Sequence, residues 1–256
     1  MTEALRAEWT KLRTLAGTGW LLIGAVAVTV TVGAGLAAVT HVSSRGGQDP
    51  TKLALTGIDL GQAVVAVLAI LAISEEYGTG MIRVSLSAVP RRVVLLVAKA
   101  ANVASLTLVA GLLAIAGSLL AGRLLLPSAG LDPAHGYALV SISHGPTLRA
   151  AAGSVVYLVL VALLSLGVAA AVRDTAVSTG AVLALLYLPP ILAQSVSDPL
   201  RRHLQQIAPM SAGLAIQATT NLRSLPIAPW AGLGVLAAWA VASLLVGGLL
   251  LRLRDA

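Results

Sequence analysis

The amino-acid sequence predicts an all-α membrane protein with six transmembrane helices, and three observations carry that prediction. The 256 residues are 57% hydrophobic and only 11% charged, whereas soluble domains hold about 45–50% apolar and about 25% charged residues. Mean hydropathy is +0.92, and six stretches approach the roughly 20 apolar residues that cross a hydrocarbon core of about 30 Å. None of them alternates as a barrel strand would, so helices, which satisfy their own backbone groups in lipid, are the expected form. Ten acids and 17 bases cannot coat a soluble surface of this size. An ordinary soluble enzyme and a disordered tail are thereby excluded, and a chain with no cysteine has neither a disulfide scaffold nor a thiolate metal site.

The elements follow in order within a single transmembrane domain, 1–256. Residues 1–18 predict an interfacial helix, because Leu5, Trp9 and Leu12 share one face while Arg6, Lys11 and Arg13 face water, with Trp9 at headgroup depth. The simpler alternative is a charged lead-in to the first span. That span, 19–40, is longer than the roughly 7–15 residues of a cleaved signal core, so cleavage is not expected. Turn formers from Arg45 to Pro50 fill the next loop, His41 to Ile58. Asp59 with Gln62 three residues on fits an N-cap and capping box at the start of span two, 60–77. The competing reading makes Asp59 an intramembrane proton carrier, but its place at the span end favours the cap.

Ser74 to Arg92, SEEYGTGMIRVSLSAVPRR, is the main loop between spans two and three. Met81, Val84 and Ala88 share a helical face, although Val84 to Ser87 also alternates like a strand. A basic anchoring loop and a protein-docking helix both fit. Span three, 94–126, is long enough to contain an interfacial turn. Span four, 148–172, ends at a minimal turn, Arg173-Asp174, and span five, 175–193, ends at Pro189-Pro190, which should break or kink it. Beyond it, Asp198-Pro199 reads as N-cap and N1 of a short helix with an apolar stripe of Leu200, Leu204 and Ile207. Met210 to Thr219 is apolar enough to re-enter the membrane without crossing it. Span six is 230–251. No internal repeat is visible.

Six spans put both termini on one side. Placing them in the cytoplasm puts ten of the 17 bases inside, the arrangement that the positive-inside rule favours. The basic balance then reads as topology and attraction to anionic lipid. No basic cluster interleaved with aromatics points to nucleic acid.

Catalytic patterns are missing. None of Lys11, Lys52 and Lys99 follows a glycine-rich phosphate loop, so the chain has no P-loop of its own. His41, His135, His144 and His203 all fall in segments expected outside the cell, with no metal-ligand spacing. Glu75-Glu76 resembles the paired glutamates of CAAX-type intramembrane proteases, but Gly80 stands where that pattern sets an arginine, and the later spans carry no histidine. Lys99 and Asn102 are the only deep polar candidates for coupling to an ion gradient, and Lys99 can snorkel to the interface. An uphill transporter of this composition needs its energy from another polypeptide, a partner ATPase.

At Glu76-Tyr77-x-x-Gly80-x-x-Arg83, followed by Leu86 and Pro90-Arg91-Arg92, the sequence resembles actinobacterial permease subunits of the ABC type-2 exporter family. The lead EWTKLRTL, Lys99, the tail of span five and the ending LLLRLRDA extend the resemblance over the whole chain. It implies that Thr2 to Leu15 is a connecting helix on the inner face, and that Met81 to Val89 is a cytoplasmic coupling helix docking on a separate ABC ATPase subunit. The implied contact residues are Glu75, Glu76, Tyr77, Gly80, Arg83, Leu86, Pro90, Arg91 and Arg92. Asp198 to Thr219 would form extracellular helices between spans five and six. The family pattern has a larger residue where Gly78 stands, which loosens the turn before the coupling helix.

The resemblance further implies a homodimer of permease subunits in the cell membrane, moving a drug, antibiotic, lipid or peptide outward. ATP and Mg would be bound by the partner subunit, with no cofactor, metal or catalytic residue on this chain and the substrate path unassigned. Gly111, Gly117, Gly153 and Gly167 would let helices approach closely. The runner-up is a non-transporting membrane scaffold or sensor partnered with an ATPase.

Overall fold

A computed structural model describes residues 16–39, 48–78, 92–131, 137, 140–141 and 143–253. Those residues fold into helices and turns with no strand among them. The long helices are α1 (Ala16–Val39), α3 (Ile58–Gly78), α4 (Arg92–Leu125), α5 (Gly145–Val172), α6 (Thr175–Leu192) and α9 (Pro229–Leu253). Short helices α2 (Pro50–Leu55), α7 (Asp198–Ile207) and α8 (Pro209–Gly213) complete the set. Six segments are long and apolar enough to cross a membrane, the second of them running from Pro50 to Glu75 through α2 and α3. Of the expected interfacial helix 1–18, residues 1–15 lie outside the described residues and 16–18 belong to α1; the expected coupling helix 81–89 lies outside them entirely.

Helix α5 is the hub, packing against α3, α4, α6 and α9. Tyr157, Leu158, Val161, Leu164 and Leu166 put its side chains in the core. The α5–α9 seam is close because a Cβ at Gly167 would sit 2.5 Å from the Ser243 carbonyl carbon. This small-residue contact lets two apolar helices gain dispersion energy without a hydrophobic driving force. Gly117 against Val30 and Gly153 against Ile216 are equally tight, whereas Gly111 makes only ordinary contacts. Outward-facing leucines on α4 (Leu112, Leu113, Leu120) and α9 (Leu245, Leu249) remain exposed, as lipid-facing positions would be.

Four local expectations are corrected. Asp59 is not a cap: α3 already starts at Ile58, the Asp59 N–H donates to Thr56 O (3.0 Å), and Gln62 Nε2 donates to the Asp59 carbonyl (3.1 Å) rather than accepting from its N–H. The side-chain cap sits ten residues earlier, where Asp49 accepts from Lys52 N at 3.1 Å with Pro50 opening α2. Helix α4 runs 34 residues without an interfacial turn. At about 1.5 Å per residue it is about 51 Å long, so it must tilt or project beyond the hydrocarbon.

In α6 the Pro189-Pro190 pair lies inside the last turn, and the helix ends two residues later at Leu192. Near a C-terminus the two missing donors cost only the final bonds of the helix. The N-cap of α7 is Ser197, which moves Asp198 and Pro199 one place inward. By contrast, the two-residue turn between α5 and α6 is as expected. Arg173 takes a left-handed conformation (φ 66°) and Asp174 caps α6 by accepting from Val177 N at 2.8 Å.

Candidate functional site

The helix ends define two faces. On the first, α3 ends, α4 begins and α5 turns into α6, and three contacts pin these ends together. The Arg173 guanidinium lies 5.2 Å from the Tyr77 ring centroid and donates to Leu250 O at 3.4 Å, linking α5, α3 and α9. Lys99 is almost fully buried in α4, and its ammonium donates to Ala72 O of α3 at 3.1 Å. Snorkelling to the interface, the sequence expectation for Lys99, is replaced by capture on a neighbouring carbonyl. Such a bond compensates the desolvation of a buried cation.

Of the residues expected to grip an ATPase, Glu75 is exposed on the last turn of α3 and Tyr77 is half-buried under Arg173. Glu76 belongs to the same helix and Arg92 opens α4. Gly80, Arg83, Leu86, Pro90 and Arg91 lie outside the described residues.

The second face carries a part of the site that sequence reasoning missed. Asp49 caps α2 and also accepts from the Thr219 hydroxyl (2.7 Å), the Thr219 N–H and the Thr220 N–H (3.1 Å). It thereby ties the start of span two to a segment 170 residues away. Arg149 donates to Ala218 O, and the Thr51 and Thr147 hydroxyls share a bond at 3.3 Å. Trp239 Nε1 donates to Ile207 O at 3.0 Å, holding the end of α7 on α9.

From this face α8 packs against α9 and α6, and the 3-10 turn Leu214–Gln217 wedges between α5 and α9. Gly213 meets the Tyr157 ring, and a Cβ at Gly153 would fall 2.0 Å from Ile216 Cγ1. Tyr157 lies about 18 Å along α5 at about 1.5 Å per residue, and residues 209–217 form a largely buried plug against it. Beneath it, Tyr157 donates to Gln62 Oε1, Gln62 Nε2 meets Met210 Sδ at 3.2 Å, and Tyr187 donates to Asp59 O. Four side chains from α3, α5, α6 and α8, with the Asp59 backbone carbonyl, thus share one polar knot inside the apolar bundle.

The signals were present as polar residues inside apolar runs (Gln62, Tyr157, Tyr187) and as an Asp-Pro pair at Asp49-Pro50 like the one read at Asp198-Pro199. Among the described residues no cluster of three or more His, Cys, Asp or Glu could hold a metal. A groove of about 360 Å³ between α4 and α9 is lined by Leu96, Val97, Leu245 and Gly248, with Arg252 at its first-face end. Comparison with family models and with curated proteins gives no match.

Proposed function

We propose that this chain is the membrane-spanning permease subunit of an ATP-driven exporter, powered by a separate ATPase that docks on the Ser74 to Arg92 segment. The observation that carries the reading is the pinning of the first face. Arg173 joins α3, α5 and α9 through Tyr77 and Leu250, and Lys99 joins α4 to α3. Both helices that flank the segment are therefore fastened to the hub, and a push on it moves them as one rigid body.

In that mechanism ATP closes two ATPase subunits together and the docked segments follow, tilting α3 and α4. A cargo between facing apolar helices then loses its inward opening and gains an outward one. The apolar α4–α9 groove with its terminal arginine suits a lipophilic or amphiphilic cargo. Support also comes from the state of the ionisable groups. Lys99 is the one charged side chain that is fully buried among the described residues, and it is occupied by Ala72 O. Asp59 sits in the first turn of α3 and lines a cavity of the second face, a placement that supports access from one side rather than a relay across the membrane.

The test is affinity purification of the chain with the ATPase encoded beside it. The wild type is expected to retain ATP turnover on the resin, and Glu76→Lys and Arg83→Glu are each expected to lose it. Retention by both variants would remove the docking assignment. Turnover that substrates never stimulate in liposomes would favour a scaffold or sensor instead.

A further inference from the structure

On the second face, at the rim of the plug, a cavity of about 280 Å³ lies between α2, the first turn of α3 and the segment after α7. Lys52, Asp59 and Gln217 line it together with the apolar Leu214, Pro226 and Ile227. Gln217 is 2% exposed, and its Nε2 has no hydrogen-bond partner. A buried amide donor left unpaired is uncommon in a folded protein and marks a place where something else completes the bond. Among the described residues no ion pair joins Lys52 and Asp59, and neither charged group is otherwise engaged. A cation, an anion and an unfilled N–H therefore face one partly apolar space.

We propose that this cavity binds a small zwitterion, an amino acid or dipeptide with an apolar side chain. Its ammonium group would sit on Asp59 and its carboxylate on Lys52 and Gln217, with the side chain on Leu214, Pro226 and Ile227. A carboxylate accepts from an ammonium and an amide N–H together, and an ammonium needs an acceptor that nothing else occupies. The volume lies just below the range of ligand pockets, which run from about 300 to 1,000 Å³, so the ligand is smaller than a drug. The site does not rest on the exporter reading, because it needs neither ATP nor an ATPase.

Equilibrium binding to the purified full chain in lipid nanodiscs tests it, with radiolabelled leucine and leucyl-leucine as probes. At least one probe is expected to bind saturably, and Asp59→Asn and Lys52→Gln each to weaken it by about tenfold or more. Lys52 is exposed and its side chain makes no hydrogen bond or ion pair among the described residues, so that variant is expected to keep the fold even if Asp59→Asn does not. N-acetyl-leucyl-leucine, without the ammonium group, is expected to compete poorly. Arg201→Ala, on the exposed surface of α7, is expected to bind as the wild type does. The proposal is overturned if neither probe binds at millimolar concentration, if Lys52→Gln binds undiminished, or if the acetylated peptide competes as well as its parent.

Discussion

Tyr157 and Gln62 show what one hydrogen bond does inside an apolar bundle. The phenol and the amide are both buried, and each would otherwise face hydrocarbon side chains. Tyr157→Phe keeps the ring against Gly213 but strands the Gln62 carbonyl oxygen. It is expected to destabilise the detergent-solubilised protein by about 1–3 kcal/mol, read as a lower unfolding midpoint. Asp49 works differently, since its carboxylate accepts four hydrogen bonds, three of them from the distant Thr219 and Thr220. Asp49→Ala removes a cap worth about 0.5–2 kcal/mol and also the tether of the plug. Amide exchange at Thr219 and Thr220 should accelerate strongly in that variant, while amides in the middle of α5 stay protected. Uniform acceleration would mean global loosening rather than a local latch.

At the scale of elements, the plug is the feature most exposed to a steric test. A Cβ at Gly153 would overlap Ile216, so Gly153→Val should expel the 3-10 turn from its slot, at about 1–3 kcal/mol. Adding Ile216→Ala should restore part of the melting temperature, because it removes the clashing atoms; no recovery would show that the two residues do not meet. The same elements show what could be read from sequence. The six long helices were legible because lipid leaves the backbone no other solution, and apolar runs record it directly. The two-residue α5–α6 turn at Arg173-Asp174 was legible too, though not that Asp174 caps α6.

What escaped were features fixed by partners remote in the chain. Asp49 looked like one turn former among six until Thr219 was beside it. Lys99 looked like a snorkelling lysine until Ala72 O came within reach. The start of α3 was misplaced because Asp59 and Gln62 carry a local capping pattern, while their groups are taken up by Tyr187, Tyr157 and Met210 from other helices.

At the scale of the whole molecule, the two faces divide the work. One face is latched by Asp49 and closed by the plug. On the other, Arg173, Tyr77, Lys99 and Ala72 fasten the roots of the Ser74 to Arg92 segment to the hub. Under the exporter reading, this fastening is what turns ATPase closure into helix tilt. Arg173→Asn keeps a residue that tolerates the left-handed turn but removes the guanidinium from Tyr77 and Leu250. It should leave ATPase binding intact and uncouple substrate-stimulated ATP turnover; equal stimulation in variant and wild type would assign Arg173 to folding alone.

The central proposition, that a separate ATPase grips the chain between α3 and α4, has one direct measurement. The sequence contains no cysteine, so Ile82→Cys and, on the opposite face, Asn221→Cys each place a single thiol for photo-crosslinking in native membranes. Crosslinking from position 82, and not from 221, to a protein that hydrolyses ATP is the expected result. An ATP-hydrolysing partner captured only from position 221, or none captured from position 82, would contradict it.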